Sequence, residues 1–482
     1  KMTQQYDLWI NGQDTKPSSG QYFEVLNPLD DSVFCKAAES NETDINLAVE
    51  AAHTCFKSFG KSLAKDREAM LCKAADLLER DREEFLALLI DEVGSPINKA
   101  QFEVTQAIGQ LRAASGAARR VTGQTIPSDT PGRLSMSVRK PLGVVAAITP
   151  FNVPLLKAAK LVASPLATGN TVVLLTSEEA PAVSFRFAKL MQEAGFPAGS
   201  LNVVSGFGVD VGDFLTGHEL VKAVMFTGSS VVGKHISEIC GRNMKPCVLE
   251  LGGKSPYIVL ADADLGLAVQ NAIMGMFFYQ GQACIASSRI IVEASVYDQF
   301  VDMYSAAAKQ LSMGDLRDMS TILGPIISPR QRNRVRTHIE DAVAKGATLV
   351  TGGEWEGHRC QPTILTNVTE DMTVCREETF GPVTSIYSVN NVEEALKLAN
   401  DTHYGLSGAI HTNDLNKALT LAHDVETGMI HVNAPSVYDE PNVPFGGIGD
   451  SGFGREGVDV DIDALTQWKW ITIQLPGHDQ HH

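Results

Sequence analysis

The sequence predicts an α/β protein built on parallel sheets covered by helices on both faces. Three observations carry that expectation. The chain has 482 residues, more than a single hydrophobic core sustains, so two or three domains are expected. After Ile148 short β-branched apolar runs alternate with helical patterns, as they do when crossover helices join parallel strands. A second alternating series starts at Ile290-Ile291-Val292, and two such units imply a cleft between them, where ligand sites concentrate.

The elements follow in order. Residues 41–59 and 65–93 carry helical apolar spacing, with Leu71, Ala74, Ala75 and Leu78 on one face. Ser128-Asp129-Thr130-Pro131-Gly132 is a turn between strand-like segments, so 122–141 reads as a hairpin extension. Strands are expected over 171–175, 201–204, 223–226, 248–251 and 257–260, with a helix over 182–194 that stops at Gly195. The second series continues through 300–311, 331–345, 384–389 and 392–400. Near the end, 466–473 alternates like an edge strand, and exposed edges seek partners, here a second subunit.

Composition excludes several classes. The net charge of −17 argues against nucleic acid or an anionic membrane as partner. No apolar run reaches the roughly 18 residues of a spanning helix, and no charged-then-apolar leader pattern stands at the N-terminus. The eight cysteines form no CxxC pair and the 12 histidines no HExxH, so neither a disulfide framework nor a metal site is expected. A reduced, cytoplasmic enzyme is the resulting expectation.

Three polar residues stand at the ends of apolar runs. Cys284 follows Gly281-Gln282-Ala283, Glu250 closes Val248-Leu249, and Asn152 follows Thr149-Pro150-Phe151 after Val144–Ile148. A thiol, a carboxylate and a carboxamide are the parts needed to attack a carbonyl, activate water and hold an oxyanion. Each also has a plainer reading: a buried inert cysteine, a capping acid, an Asx-turn asparagine. For phosphate, the strand running into Thr227-Gly228-Ser229-Ser230 and a helix offers free amides at a helix start. A literal GxGxxG at 452–457 lacks the strand before it and the amphipathic helix after it, and reads instead as a turn.

Together these segments resemble the aldehyde dehydrogenase superfamily, over essentially the whole chain. The ordered set is Thr149-Pro150-Phe151-Asn152, Gly169-Asn170-Thr171, Ser177-Glu178, Phe226-Thr227-Gly228-Ser229, Leu249-Glu250-Leu251-Gly252-Gly253-Lys254, Gly281-Gln282-Ala283-Cys284, Glu378-Thr379-Phe380-Gly381-Pro382 and Pro444-Phe445-Gly446-Gly447. The resemblance implies a Rossmann-like NAD-binding domain (1–121 and 142–252), an α/β catalytic domain (253–449) and a small β oligomerisation extension (122–141 and 464–478). It also implies a homodimer or homotetramer. It makes Cys284 the nucleophile, Glu250 the general base and Asn152 an oxyanion donor. Cofactor contacts are expected from Thr149, Pro150, Ser177, Glu178, Gly228, Ser229, Leu251, Glu378 and Phe380. Family members commonly carry a lysine where this chain has Leu175; its loss, and repulsion of a 2′-phosphate by Glu178, favour NAD over NADP.

The segment 431–445 is similar to the benzaldehyde, vanillin and salicylaldehyde dehydrogenase group, which implies an aromatic or hydroxylated aldehyde. Phe445 is expected to wall the substrate and Lys157 either to face it or to be an ordinary solvent-exposed helix lysine. Short aliphatic or semialdehyde oxidation is the alternative. CoA-acylating oxidation is disfavoured by Glu250, a thiol hydrolase by the lack of a histidine motif, and a non-catalytic structural role by retention of the three polar residues.

Overall fold

The computed structural model describes residues 2–478. Its first sheet has eight strands, in the order Gly452–Phe453, Cys247–Glu250, Val221–Thr227, Val144–Ile148, Thr171–Leu175, Leu201–Val204, Leu8–Ile10, Gln13–Thr15. The five from Cys247–Glu250 to Leu201–Val204 run parallel. They are apolar throughout because helices cover both faces: every residue of Thr171–Leu175 and Leu201–Val204 is buried. Chain order reverses between Val144–Ile148 and Val221–Thr227, which makes their carboxyl ends the switch point where open α/β sheets bind ligands.

The second sheet has seven strands, in the order Thr348–Thr351, Thr363–Thr366, Val383–Val389, Arg289–Glu293, Pro256–Val259, Ala409–His411, His431–Val432. A third sheet pairs Thr466–Gln474 with Arg133–Pro141, and Arg133–Pro141 with Gln124–Thr125, so the 122–141 hairpin and the late strand meet. Thr466–Gln474 lies at that sheet's edge and exposes Trp468 and Trp470. Among the described residues no helix is long and apolar enough to cross a membrane.

The sequence reading is corrected at three places. The segment 65–93 is two helices, Ala64–Arg80 and Arg82–Val93, broken at Asp81, whose carboxylate takes Arg80 and Arg186. The apolar spacing runs through the break because both helices bury the same kind of face. A helix absent from the sequence reading, Ile97–Ala117, packs on Pro154–Ala167 and buries Lys99, Glu103 and Gln110 beside its alanines. Polar residues on the inward face hid its periodicity.

The GxGxxG at 452–457 is not a simple turn. Gly452–Phe453 is an edge strand of the first sheet, pairing Glu250 with Gly452, and a short helix Val458–Ala464 follows. No parallel strand feeds it and no long helix opens from it, so it forms no phosphate cradle.

Candidate active site

The site is assembled at the carboxyl ends of the first sheet's central strands. Val144–Ile148 leads into Thr149–Val153 and then the helix Pro154–Ala167, every residue of which is buried. Asn152 is buried in that connection: its Nδ2 donates to the Gln282 carbonyl at 3.1 Å and its Oδ1 accepts from Val153 N–H at 3.1 Å. The structure thus brings the carboxamide to the segment that carries Cys284.

That segment is tightly shaped. Tyr279 and Gln280 hold positive φ of 46° and 57°, and the Gln280 amide donates to the carbonyls of Gly94 and Pro325 at 3.2 and 3.1 Å. A Cβ on Gly253 would collide with the Cys284 carbonyl, so only glycine lets the end of the Glu250 segment approach the thiol loop. Cys284 is half-buried in an apolar cluster of Ile285, Leu406, Met429, Val437, Val443 and Phe445. Burial pushes its thiol up to about 12, opposed by Lys157 and reinforced by Glu378, Glu250 and Glu456. A base must therefore remove the proton before the sulfur can attack.

Glu250 is 1% exposed, and neither carboxylate oxygen has a hydrogen-bond partner among the described residues. Burial and the neighbouring Glu456 raise its carboxyl well above the usual range, against Lys157, Lys160 and Arg455. A capping role is excluded by those unpaired oxygens. Glu456, buried, accepts from Lys157 and lies 3.1 Å from Lys160, which also meets Asp439 at 2.6 Å. Although burial opposes it, the two ammonium groups hold the Glu456 carboxyl below its usual range.

Lys157 is therefore no solvent-exposed lysine: it is 4% exposed and ion-paired. Phe445 is buried too, with the Lys157 and Lys160 ammonium groups 5.0 and 4.4 Å from its ring centroid. Glu456, Lys160, Lys99 and Glu103 escaped the sequence reading. Lysines three residues apart on an otherwise apolar helix, and a Lys–Glu pair four apart among alanines, were the available signals.

The residues expected at a dinucleotide lie around the switch point. Thr149 is buried, its N–H bonded to the Leu175 carbonyl at 3.2 Å, while Pro150 and Ser177 are half-buried and Glu178 is exposed. Gly228 donates to the Glu250 carbonyl at 3.0 Å, and exposed Ser229 caps the helix Ser230–Arg242. Leu251 is buried against Gly233 of that helix. Glu378 accepts from Gly253 N–H at 3.0 Å, and burial raises its carboxyl to about 7. Phe380, with φ 59°, meets Phe151 edge-on at 5.7 Å. An exposed helix start beside close-approaching glycines fits a pyrophosphate, and the Glu378 carboxylate fits a ribose diol. Leu175 is 2% exposed in an apolar cluster with Val204 and Phe226.

Comparisons with known proteins agree with this geometry. The aldehyde dehydrogenase family matches residues 15–471. A vanillin dehydrogenase of Pseudomonas fluorescens is 41% identical over 470 residues, 97% of each chain. The crystal structure of a salicylaldehyde dehydrogenase from Pseudomonas putida, complexed with salicylaldehyde, superposes with TM-score 0.96 at 36% identity over 99% of each chain. A betaine aldehyde dehydrogenase from Staphylococcus aureus in complex with NAD+ gives TM-score 0.95 at 33% identity, covering 97% of this chain and 95% of its own.

Proposed function

The chain belongs to the aldehyde dehydrogenase family, an NAD(P)-dependent oxidoreductase family, and from that premise we propose that it oxidises aromatic aldehydes to carboxylic acids with NAD. The observation that carries the substrate class is the apolar wall around Cys284, formed by Ile285, Leu406, Met429, Val437, Val443 and Phe445. Such a wall takes a planar apolar ring and offers no partner to the carboxylate of a semialdehyde. The vanillin and salicylaldehyde relatives support the same reading.

In the reaction Cys284 loses its proton to a base, and Glu250, unpaired and with a raised pKa, is the carboxylate suited to that task. The thiolate bonds to the aldehyde carbon, and the second Nδ2 hydrogen of Asn152, together with the Cys284 N–H, stabilises the resulting alkoxide. When bound, NAD would be held by the Ser229 helix start, Glu378 and Phe380, and would supply the hydride acceptor for oxidation of the Cys284 hemithioacetal to the thioester. Glu250, once it has passed the thiol proton to solvent, takes a proton from water as it attacks that thioester and returns it to the departing sulfur, releasing the acid and the Cys284 thiol. Thr149, Pro150, Ser177, Glu178, Gly228 and Leu251 complete the cofactor surface, with the NAD-binding part at 1–121 and 142–252 and the catalytic part at 253–449. Leu175 offers no cation to a 2′-phosphate and Glu178 opposes one, which is the support for NAD over NADP.

Lys157 borders the substrate pocket through Phe445 rather than as a free cation. The extension at 122–141 and 464–478 joins subunits as a homodimer or homotetramer, a reading supported by the exposed tryptophans of the edge strand. All eight cysteines are free, which supports a reducing, cytoplasmic setting. The test is an aldehyde panel at fixed NAD. Benzaldehyde, salicylaldehyde and vanillin are expected to exceed acetaldehyde and succinic semialdehyde in kcat/KM by at least about 100-fold, the scale of several buried methylene equivalents. Equal values across the panel would remove the aromatic assignment.

A further inference from the structure

We infer that Lys99 is a positioning residue for this reaction: its buried ammonium holds the Asn152 peptide, and with it the carboxamide, where the alkoxide forms. The inference rests on the oxyanion role given to Asn152 above. Lys99 Nζ donates to Ser95 Oγ at 3.0 Å, Glu103 Oε1 at 2.8 Å and the main-chain oxygen of Asn152 at 2.5 Å. An ammonium has three hydrogens to give, and all three are used. Glu103 is itself fully engaged, since its Oε2 accepts from Leu155 N–H at 2.8 Å and Leu156 N–H at 3.3 Å. Those are the first free amides of the helix, Pro154 having none. One ion pair thus closes the start of the helix and fixes the peptide just before it.

The same ammonium reaches the nucleophile loop. Nζ lies 4.1 Å from the centroid of the Tyr279 ring, in the left-handed stretch that leads to Cys284. Lys99 therefore touches both strands of chain that must meet for the alkoxide to be held. Stability does not account for it, because a well-packed apolar pair serves a core at least as well as a buried ion pair. Geometry does. With Oδ1 on Val153 and one Nδ2 hydrogen on Gln282, a single hydrogen of Asn152 remains for the substrate, and its direction follows the peptide that Lys99 grips. An oxyanion donor works only within a few tenths of an ångström of its target position.

The test is the pair change Lys99→Met/Glu103→Gln, which removes both charges together and leaves an amide oxygen for Leu155. The readouts are the single-turnover rate of NADH formation with benzaldehyde, the Kd for NAD and the thermal midpoint. Each is measured in the wild-type and Asn152→Ala backgrounds. In the wild-type background the single-turnover rate is expected to fall about 10- to 100-fold, with NAD affinity unchanged. In the Asn152→Ala background the same change is expected to cost less than about threefold, because the group being positioned is gone. Equal losses in both backgrounds, or no loss in the first, overturn the positioning role. Lys99→Gln/Glu103→Gln is read by the same two-background criterion should methionine pack badly. Asn152→Ala that retains the full rate would overturn the oxyanion role and this inference with it, and that result is visible before Lys99 is changed.

Discussion

Two buried lysine–glutamate clusters lie against the helix Pro154–Ala167, one at its start and one along its side. At the start, Lys99 gives all three of its hydrogens and both oxygens of Glu103 accept hydrogen bonds. Along the side, Lys157 and Lys160 crowd one oxygen of Glu456, while the other oxygen and both oxygens of Glu250 have no partner among the described residues. A saturated cluster fixes geometry, because moving any member breaks several bonds at once. An unsaturated one keeps lone pairs for a proton or a water molecule. The difference separates scaffold from chemistry within one helix diameter.

The comparison can be broken most severely at the thiol that the unsaturated cluster serves. Cys284→Ala is expected to lower NADH formation by more than about 10⁴-fold while NAD binding, followed by fluorescence titration, persists. Next comes Glu250→Gln, expected to lower the steady-state rate by about 100-fold or more through loss of the base. Its two proton transfers are read apart, acylation by the single-turnover rate of NADH formation and deacylation by quenching at intervals and weighing the acyl-enzyme. For a carboxyl raised in the folded protein the base form is lost as pH falls through the raised value, so the wild-type kcat falls on the acid side well above pH 4.5.

Glu456→Gln sharpens the contrast between the clusters. It strands the buried Lys157 ammonium, while Lys160 keeps Asp439, and a loss of about 3–5 kcal/mol is expected in denaturant unfolding. Removing the Glu456 charge also lowers the Glu250 pKa, so the acid limb of kcat moves to lower pH. The smallest effect is expected at Leu175→Lys. Its ammonium gains the adenosine ribose hydroxyls and tightens NAD severalfold by titration calorimetry. The thermal midpoint without NAD falls, since the charge otherwise lies among Val204 and Phe226.

The parallel strands were legible because burial on both faces leaves unbroken β-branched runs: the strands at 171–175 and 201–204 lie where the apolar runs place them. Cys284 and Asn152 were legible as polar ends of such runs, and the structure brings them to neighbouring backbone. What stayed hidden was polar burial. Lys99 and Glu103 look like a surface pair until the helix Pro154–Ala167 is laid on them, and Glu456 sits inside a glycine pattern whose obvious reading is phosphate binding. Periodicity reports which face is apolar; it is silent where a core is deliberately charged. The break at Asp81 was invisible for a related reason, since the apolar spacing continues across it.

The pairing of Gly452–Phe453 beside Cys247–Glu250 ties a segment far downstream in the sequence to the strand that carries Glu250. A ribosome delivers that segment after the strand it completes has had time to collapse. A nascent chain therefore lacks the strand beside Glu250, and Glu456 with it, until that segment has been made. Arresting translation just before Gly452 and assaying the tethered chains would show whether oxidation waits for this strand.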